Sequence, residues 1–317
     1  MSSSTAIRVD NLSHRYGQRQ ALDRLSLSIA PGEIFAFLGP NGSGKTTLFR
    51  ILSTLIPPQT GLAEVFGQNV ADHPMAVRSA IGVVFQAPSL DRKLTVAENI
   101  HHQGRLYGMK ASLIRQRAGE LLARLGLAQR SGDRVETLSG GLRRRAELAK
   151  GMLHRPRLLL LDEPSTGLDP GARSDLWHYL HQERDQSGIT VVLTTHLLEE
   201  ADRADRLAIL SDGRLVACDT PDRLRASVGG DAITIRCDEP KSLADDIRQH
   251  FGLQTMVLDG SVRLESTAGH ELIGPLVDRF GDRVGSITLG KPTLEDVFID
   301  RTGHRFWNSP GEEVAIG

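Results

Sequence analysis

The sequence predicts an α/β fold built on a mainly parallel sheet, followed by a small α+β domain. Three observations carry that reading. Apolar segments at 34–38, 158–161 and 189–195 alternate with stretches of helical periodicity, as in sheets buried on both faces. The first of these segments runs directly into a glycine-rich loop, GPNGSGKTT, at residues 39–47. After residue 227 the pattern becomes strand, helix, strand, strand, helix, strand, which is the ferredoxin-like order.

Taken in order, residues 6–38 read as short β segments with turns. Residues 45–55 show helical apolar spacing, and Pro57 and Pro58 are expected to stop that helix. Residues 94–130 read as helical. Thr95 and Glu98 have capping-box spacing, and Ile114, Ala118, Leu121, Leu122 and Leu125 recur on one face. Ser139 precedes a helix whose inner face is expected to carry Leu142, Ala146, Ala149 and Leu153. Pro170 opens a helix that runs to the neighbourhood of Gln186. Residues 206–218 form a hairpin turning at Asp212-Gly213. The sequence SVGGD reads as a linker and sets the domains at 1–227 and 228–317. In the second domain, strands at 232–237, 255–258, 261–265 and 284–289 accompany helices at 243–251 and 270–280. A short helix is expected at 293–301.

Length and composition bound the function. A chain of 317 residues suffices for one large and one small domain. Hydrophobic residues at 39% and charged residues at 24% are ordinary for a soluble globular protein. The formal net charge of −1 provides no global basic field of the kind that marks a nucleic-acid binder. Cys218 and Cys237 are too few for a disulfide framework or a metal knuckle and read as reduced thiols in a cytosolic protein. No apolar stretch follows MSSSTAIRVD, so no secretory signal is expected, and the longest aliphatic run, 158–161, is too short to span a bilayer. A role at a membrane must therefore run through a partner.

The loop at 39–47 fits G-x-x-x-x-G-K-T between a strand and a helix. Gly39, Gly42 and Gly44, with Pro40, Asn41 and Ser43 between them, let backbone N–H groups converge on phosphate oxygens. The helix N-terminus adds positive potential there. Lys45 is expected to neutralise the β- and γ-phosphates and the Thr46 hydroxyl to ligate Mg²⁺, with Thr47 closing the loop. The second motif is LLLLDEP, residues 158–164. Its strand delivers Asp162, expected to hold the hydration shell of Mg²⁺, and Glu163, expected to polarise an attacking water. Alone, an acidic pair after a strand is more often a solvated turn. Downstream of a phosphate loop, at the end of an all-leucine strand, it becomes the acidic half of an ATPase site.

A third motif, LSGGLRRR at 138–145, resembles the LSGGQ signature of ABC ATPases, and further elements fall in that family's order. Tyr16 in HRYGQ matches the aromatic that stacks on adenine, Gln86 in VVFQAP the glutamine loop, Asp169 in STGLD the D-loop, and His196 in VLTTH the switch histidine. The resemblance covers residues 6–225. It implies a P-loop NTPase of the ABC cassette type, with a parallel-sheet core, an antiparallel β subdomain and a helical subdomain, and with ATP and Mg²⁺ as cofactors. It implies that Ser139, Gly140 and Gly141 bind nucleotide across a head-to-tail homodimer, with Ser139 and Gly141 at the γ-phosphate. It also implies that Gln86 joins Thr46 and Asp162 at the metal and that His196 acts beside Glu163. The implied partner is a separate integral-membrane permease, and the implied location is peripheral, on the cytoplasmic side of the cell membrane. Leu142 departs from the pattern, standing where the family usually has glutamine. That puts communication with the membrane partner in doubt rather than nucleotide binding.

The run Arg143–Arg145, the phrase PQTGLAEVFGQNV and the late TLEDVFIDRTG resemble exporters of the daunorubicin-resistance type. The arginines read equally as a solvated helix face or as part of the interface with the membrane partner. Export over import rests on this resemblance alone. The alternative reading is a soluble ABC ATPase acting on nucleic acid or ribosomes. Such chains usually carry two cassettes, a long coiled coil or zinc modules, and this sequence has none of them. A small-molecule kinase would leave LSGGL and the D-loop without a purpose. The C-terminal domain, with no catalytic constellation, reads as regulatory or dimer-supporting, with Val297 and Phe298 available to dock it on the cassette or on its twin.

Overall fold

A computed structural model describes residues 5–258, 260–266, 268–303 and 306. The chain divides into two compact units, Met1–Cys218 and Asp219–Gly317. The division falls earlier than the linker expected at 227 because helix Pro221–Val228 packs against the last helix of the second unit.

In the first unit, β1 (Ile7–Tyr16) and β2 (Arg19–Ile29) form an antiparallel hairpin. β3 (Ile34–Leu38) is buried at every residue and feeds α1 (Lys45–Leu52). That helix ends before Pro57 and Pro58. Thr54 takes a left-handed backbone with φ 61°, and the N–H groups of Leu55 and Ile56 both turn back to Arg50 O. β4 (Thr60–Val65) and β5 (Gln68–Asn69) complete a four-stranded antiparallel sheet in the order β2-β1-β4-β5. α2 (Pro74–Ala80) leads into β6 (Ile81–Val84). The helical stretch expected at 94–130 is two helices, α3 (Val96–Leu106) and α4 (Ala111–Arg124), separated at Gly108 with φ 68°. The capping box of Thr95 and Glu98 opens α3 as expected.

α5 (Gly140–Met152) follows, then β7 (Leu158–Asp162), α6 (Pro170–Ser187), β8 (Thr190–Thr195) and α7 (Leu198–Ala201). β9 (Arg206–Ser211) and β10 (Arg214–Asp219) make the expected hairpin, with Asp212 and Gly213 both at positive φ. The central sheet runs β10-β9-β3-β8-β7-β6, and the pairings among β9, β3, β8, β7 and β6 are parallel. Phe35, Phe37, Leu158, Leu160 and Val192 on one face pack with Leu48 of α1 and with Ile7, Leu22 and Leu25 of the antiparallel sheet.

On α5, Ala146, Ala149 and Leu153 are buried as expected, whereas Leu142 is half-buried. Arg144 fits neither reading of the arginine run: it is 9% exposed. Arg145 pairs with Asp175 of α6 at 2.6 Å.

The second unit holds α8 (Pro221–Val228), β11 (Asp231–Arg236), α9 (Pro240–Phe251), β12 (Thr255–Leu258), β13 (Ser261–Ser266), α10 (Gly269–Phe280), β14 (Ser286–Gly290) and α11 (Leu294–Thr302). Its sheet is antiparallel in the order β12-β13-β11-β14, so the β-α-β-β-α-β pattern folds in the ferredoxin-like manner. Ile233, Ile235, Val262 and Leu264 face Leu243 and Ile247 of α9 and Leu276 and Phe280 of α10. Val297 and Phe298 are fully buried within the single chain, so they do not offer a surface to a second copy. Cys218 and Cys237 are both reduced and half-buried.

Candidate functional site

β3, β8 and β7 lie side by side, so their C-terminal ends bring three loops to one crevice. β3 delivers the glycine-rich loop, β8 delivers His196, and β7 delivers Asp162 and Glu163. This is where open parallel sheets place ligands.

The glycines are required by space. A Cβ on Gly39 would lie 2.4 Å from Leu210 O, and one on Gly44, whose φ is 101°, would lie 2.4 Å from Ala21 O. The loop is thus pressed against β9 and β2 and opens into α1. Lys45 is 4% exposed, and its Nζ donates to Gly39 O at 2.6 Å and Pro40 O at 3.0 Å. Burial pushes its pKa down, and Glu163 and Asp162 push it back up. Tyr16, Asn41, Lys45, Thr46, Thr47 and Glu163 line a cleft of ≈ 460 Å³. Tyr16 is 45% exposed and holds an edge contact with His14 at 4.8 Å, which leaves its ring available to a flat ligand. Arg19 and Arg50 line the same cleft, and Arg19 Nη2 donates to Gly42 O at 3.3 Å. No sequence motif singled out these two arginines.

The acidic end is tightly organised. Burial raises the pKa of Asp162, while a hydrogen bond donated by Thr194 Oγ1 at 2.5 Å lowers it. The same Thr194 oxygen accepts from Glu163 N–H at 2.9 Å. Glu163 sits at φ 44°, a strained left-handed backbone for a residue with a side chain. Its carboxylate receives Gln86 Nε2 at 3.0 Å and Thr166 Oγ1 at 3.2 Å, and His196 Nδ1 lies 3.2 Å away. Gln86, Glu163 and His196, drawn from three separate loops, therefore converge. Thr194 was missed as a site residue. Its signal was the hydroxyl two positions before the histidine, at a strand end that pairs with the acidic strand.

Ser139, Gly140, Gly141 and Asp169 do not line this cleft. Ser139 is exposed and caps α5, its Oγ accepting from Leu142 N–H at 3.3 Å. Asp169 is exposed and caps α6, accepting from Ala172 N–H at 2.9 Å. A Cβ on Gly141 would lie 3.1 Å from Ala172 Cβ, so the start of α5 packs on the start of α6. Within one chain, residues 139–141 and Asp169 thus stand apart from the phosphate-loop cleft.

Thr46 hydroxyl, Asp162 carboxylate and Gln86 amide oxygen are hard oxygen donors, a set that fits Mg²⁺ shared with waters and phosphate rather than a soft metal.

The family profile described as "ABC transporter" matches residues 22–166. The daunorubicin resistance ATP-binding protein DrrA2 of Streptomyces coeruleorubidus is 39% identical over 98% of this chain and 99% of its own length. The daunorubicin/doxorubicin resistance ATP-binding protein DrrA of Streptomyces peucetius is 38% identical over 98% of this chain and 96% of its own. The Nod factor export ATP-binding protein I of Paraburkholderia xenovorans is 36% identical over 94% and 97%. Among solved structures, cbiO1 of Clostridium perfringens, part of the ABC transporter complex cbiONQ, aligns with a TM-score of 0.66 at 25% identity, covering 78% of this chain and 96% of that one. An ATP-binding subunit of an ABC transporter aligns with a TM-score of 0.64 at 29% identity, covering 70% and 93%.

Thr194→Val tests the acidic end. Losing a hydrogen bond to a charged group costs about 1.5–3 kcal/mol, so nucleotide turnover should fall by about 10–100-fold. The Thr194 bond favours the ionised form of Asp162, so its loss raises that pKa further. The acidic limb of the pH–rate profile should therefore move to higher pH, and Thr194→Ser, which keeps the hydroxyl, should restore both.

Proposed function

The chain belongs to the ATP-binding proteins of ABC transporters, and from that premise we propose that it powers an exporter as a head-to-tail pair beneath a separate permease. As a member of that family it binds and hydrolyses ATP to drive a membrane partner. Among the described residues, no helix is long and apolar enough to cross a membrane. The seat proposed for the chain is peripheral, on the cytoplasmic face beside its permease, as for an ATP-binding subunit of this family.

The observation that carries the pairing is the split site. The loop and Glu163 line the cleft, and Gln86 and His196 reach Glu163 at 3.0 and 3.2 Å, whereas Ser139 lies exposed outside it at a helix N-terminus. Such a terminus favours phosphate charge. A second chain turned head to tail would present its own Ser139 and Gly141 to the γ-phosphate held on Lys45. ATP then joins the two chains and ADP does not, which makes closure depend on one phosphate group.

Within each site, Tyr16 stacks on the adenine face and the loop N–H groups with Lys45 cradle the phosphates. Thr46, Asp162 and Gln86 would hold Mg²⁺, which supplies charge neutralisation at the phosphates. Glu163 takes the proton of the attacking water, and Gln86 and His196 aim its carboxylate. Asp169 fixes the start of α6 beside the signature.

Outward transport follows the relatives named for daunorubicin resistance and for Nod factor export. The second unit is proposed to be regulatory or dimer-supporting. A nucleic-acid partner is disfavoured by the net charge of −1. Affinity purification from native membranes should recover a polytopic membrane protein, and recovery of RNA in its place would favour a soluble ABC ATPase.

Glu163→Gln should keep ATP binding and lower turnover by about 10²–10⁴-fold. Sedimentation should then show an ATP-bound dimer that fails to reopen. Near-normal turnover would move the base to His196.

Ser139→Arg and Lys45→Ala chains should each be inactive alone. Mixed, they should regain at most one working composite site per dimer, measured as ATP hydrolysis against the mixing ratio. Full recovery would contradict the head-to-tail arrangement.

A further inference from the structure

We propose that the buried pair Arg144–Glu147 registers the glutamine loop and the acidic strand end against the signature helix, which makes Arg144 a positioning residue for hydrolysis. The inference rests on the reading of Gln86 and Glu163 given above.

Arg144 and Glu147 lie three residues apart on α5 and so share a face. They are 9% and 6% exposed, unlike Arg143 and Arg145 on either side, which are half-buried. A single guanidinium makes four contacts. Its Nε donates to Pro164 O at 2.7 Å, its Nη1 to Phe85 O at 2.8 Å and to Glu147 Oε2 at 2.8 Å, and its Nη2 to Asp162 O at 3.3 Å. Glu147 uses its other oxygen to accept Ser89 N–H at 2.8 Å, and Lys150, one turn further along α5, donates to Ser89 O at 2.6 Å.

These partners bracket the chemistry. Phe85 immediately precedes Gln86, and Ser89 closes the same short loop. Asp162 and Pro164 stand on either side of Glu163. The two brackets therefore hold the backbones whose side chains, Gln86 and Glu163, meet at 3.0 Å. The helix that carries the brackets begins at Ser139. A rotation of α5 that seats Ser139 on nucleotide must shift Gln86 and Glu163 with it.

Only arginine suits the position. Its planar fork presents five N–H donors in fixed directions, whereas a lysine ammonium is a point charge with three. Arg144 touches no residue that lines the nucleotide cleft except through the backbone beside Glu163. Its loss should therefore act on turnover and spare nucleotide binding.

The test compares the full-length chain with Arg144→Met, Arg144→Lys, Glu147→Leu and the double variant Arg144→Met/Glu147→Leu. Turnover, affinity for a fluorescent ATP analogue and thermal midpoint are measured on each. A misplacement near 1 Å at a reacting group can cost about 10²-fold, so each single variant should lose turnover on that order while analogue affinity stays near wild type. Arg144→Met and Glu147→Leu each strand a buried charge, Arg144→Lys keeps the charge without the fork, and the double variant removes both charges and should regain thermal stability. Its turnover should nevertheless stay low. Recovery of turnover together with the thermal midpoint would overturn the proposal and leave the pair a purely structural role. If the single variants do not fold, the double variant decides alone. Glu163→Gln runs alongside. If Glu163→Gln is inactive while Arg144→Met turns over normally, the positioning role fails by itself. If Glu163→Gln is active, the reading of the site fails, and this inference with it.

Discussion

The register between β7 and β8 is the constraint on which the site depends. With Asp162 opposite Thr194, one hydroxyl reaches the carboxylate of Asp162 and the backbone N–H of Glu163 together. The next residue, Thr195, points the other way and bonds the buried Glu200 at 2.6 Å. A strand's side chains alternate, so a slip of one residue would exchange these two threonines and leave both acids without their partner. The left-handed backbone of Glu163 is tolerable only because this pairing holds it from one side and Arg144 holds its neighbours from the other.

Electrostatics in the cleft follow from that geometry. Burial disfavours the charged forms of both Lys45 and Asp162, and each group offsets part of the penalty on the other. The lysine is further held by two loop carbonyls, which fix where its charge sits. The result is a preorganised charge pattern, with cations at the loop and acids across from it. Little rearrangement is needed when a polyphosphate arrives.

Much of this was legible in the sequence, and the exceptions have physical reasons. The apolar strands, the capping box at Thr95 and the Asp212-Gly213 turn are local rules, and the fold obeys them. The phosphate loop, the acidic pair, Gln86 and His196 are ordered motifs at strand ends, and the sheet order brings them together. Arg144 was not legible, because its burial is decided by Phe85, Asp162 and Pro164, all distant in sequence. A run of three arginines looks solvated when its partners cannot be seen. The end of α1 was misplaced for a related reason: the prolines were visible, but the turn at Thr54 comes first. The domain boundary moved because the helix at 221–228 packs against α11, near the far end of the chain.

The signature helix connects these points. α5 spans 13 residues, about 20 Å at 1.5 Å per residue, with Ser139 at its head and Arg144, Glu147 and Lys150 along one side. Its head lies outside the cleft, while its side is bonded to the two loops whose side chains, Gln86 and Glu163, meet at 3.0 Å. A helix transmits displacement along its length because every backbone bond within it resists bending. In the proposed head-to-tail pair, contact made at Ser139 therefore reaches Gln86 and Glu163 without passing through the nucleotide. Leu142, half-buried on the same helix, takes no part in this bonding beyond donating its N–H to the Ser139 cap.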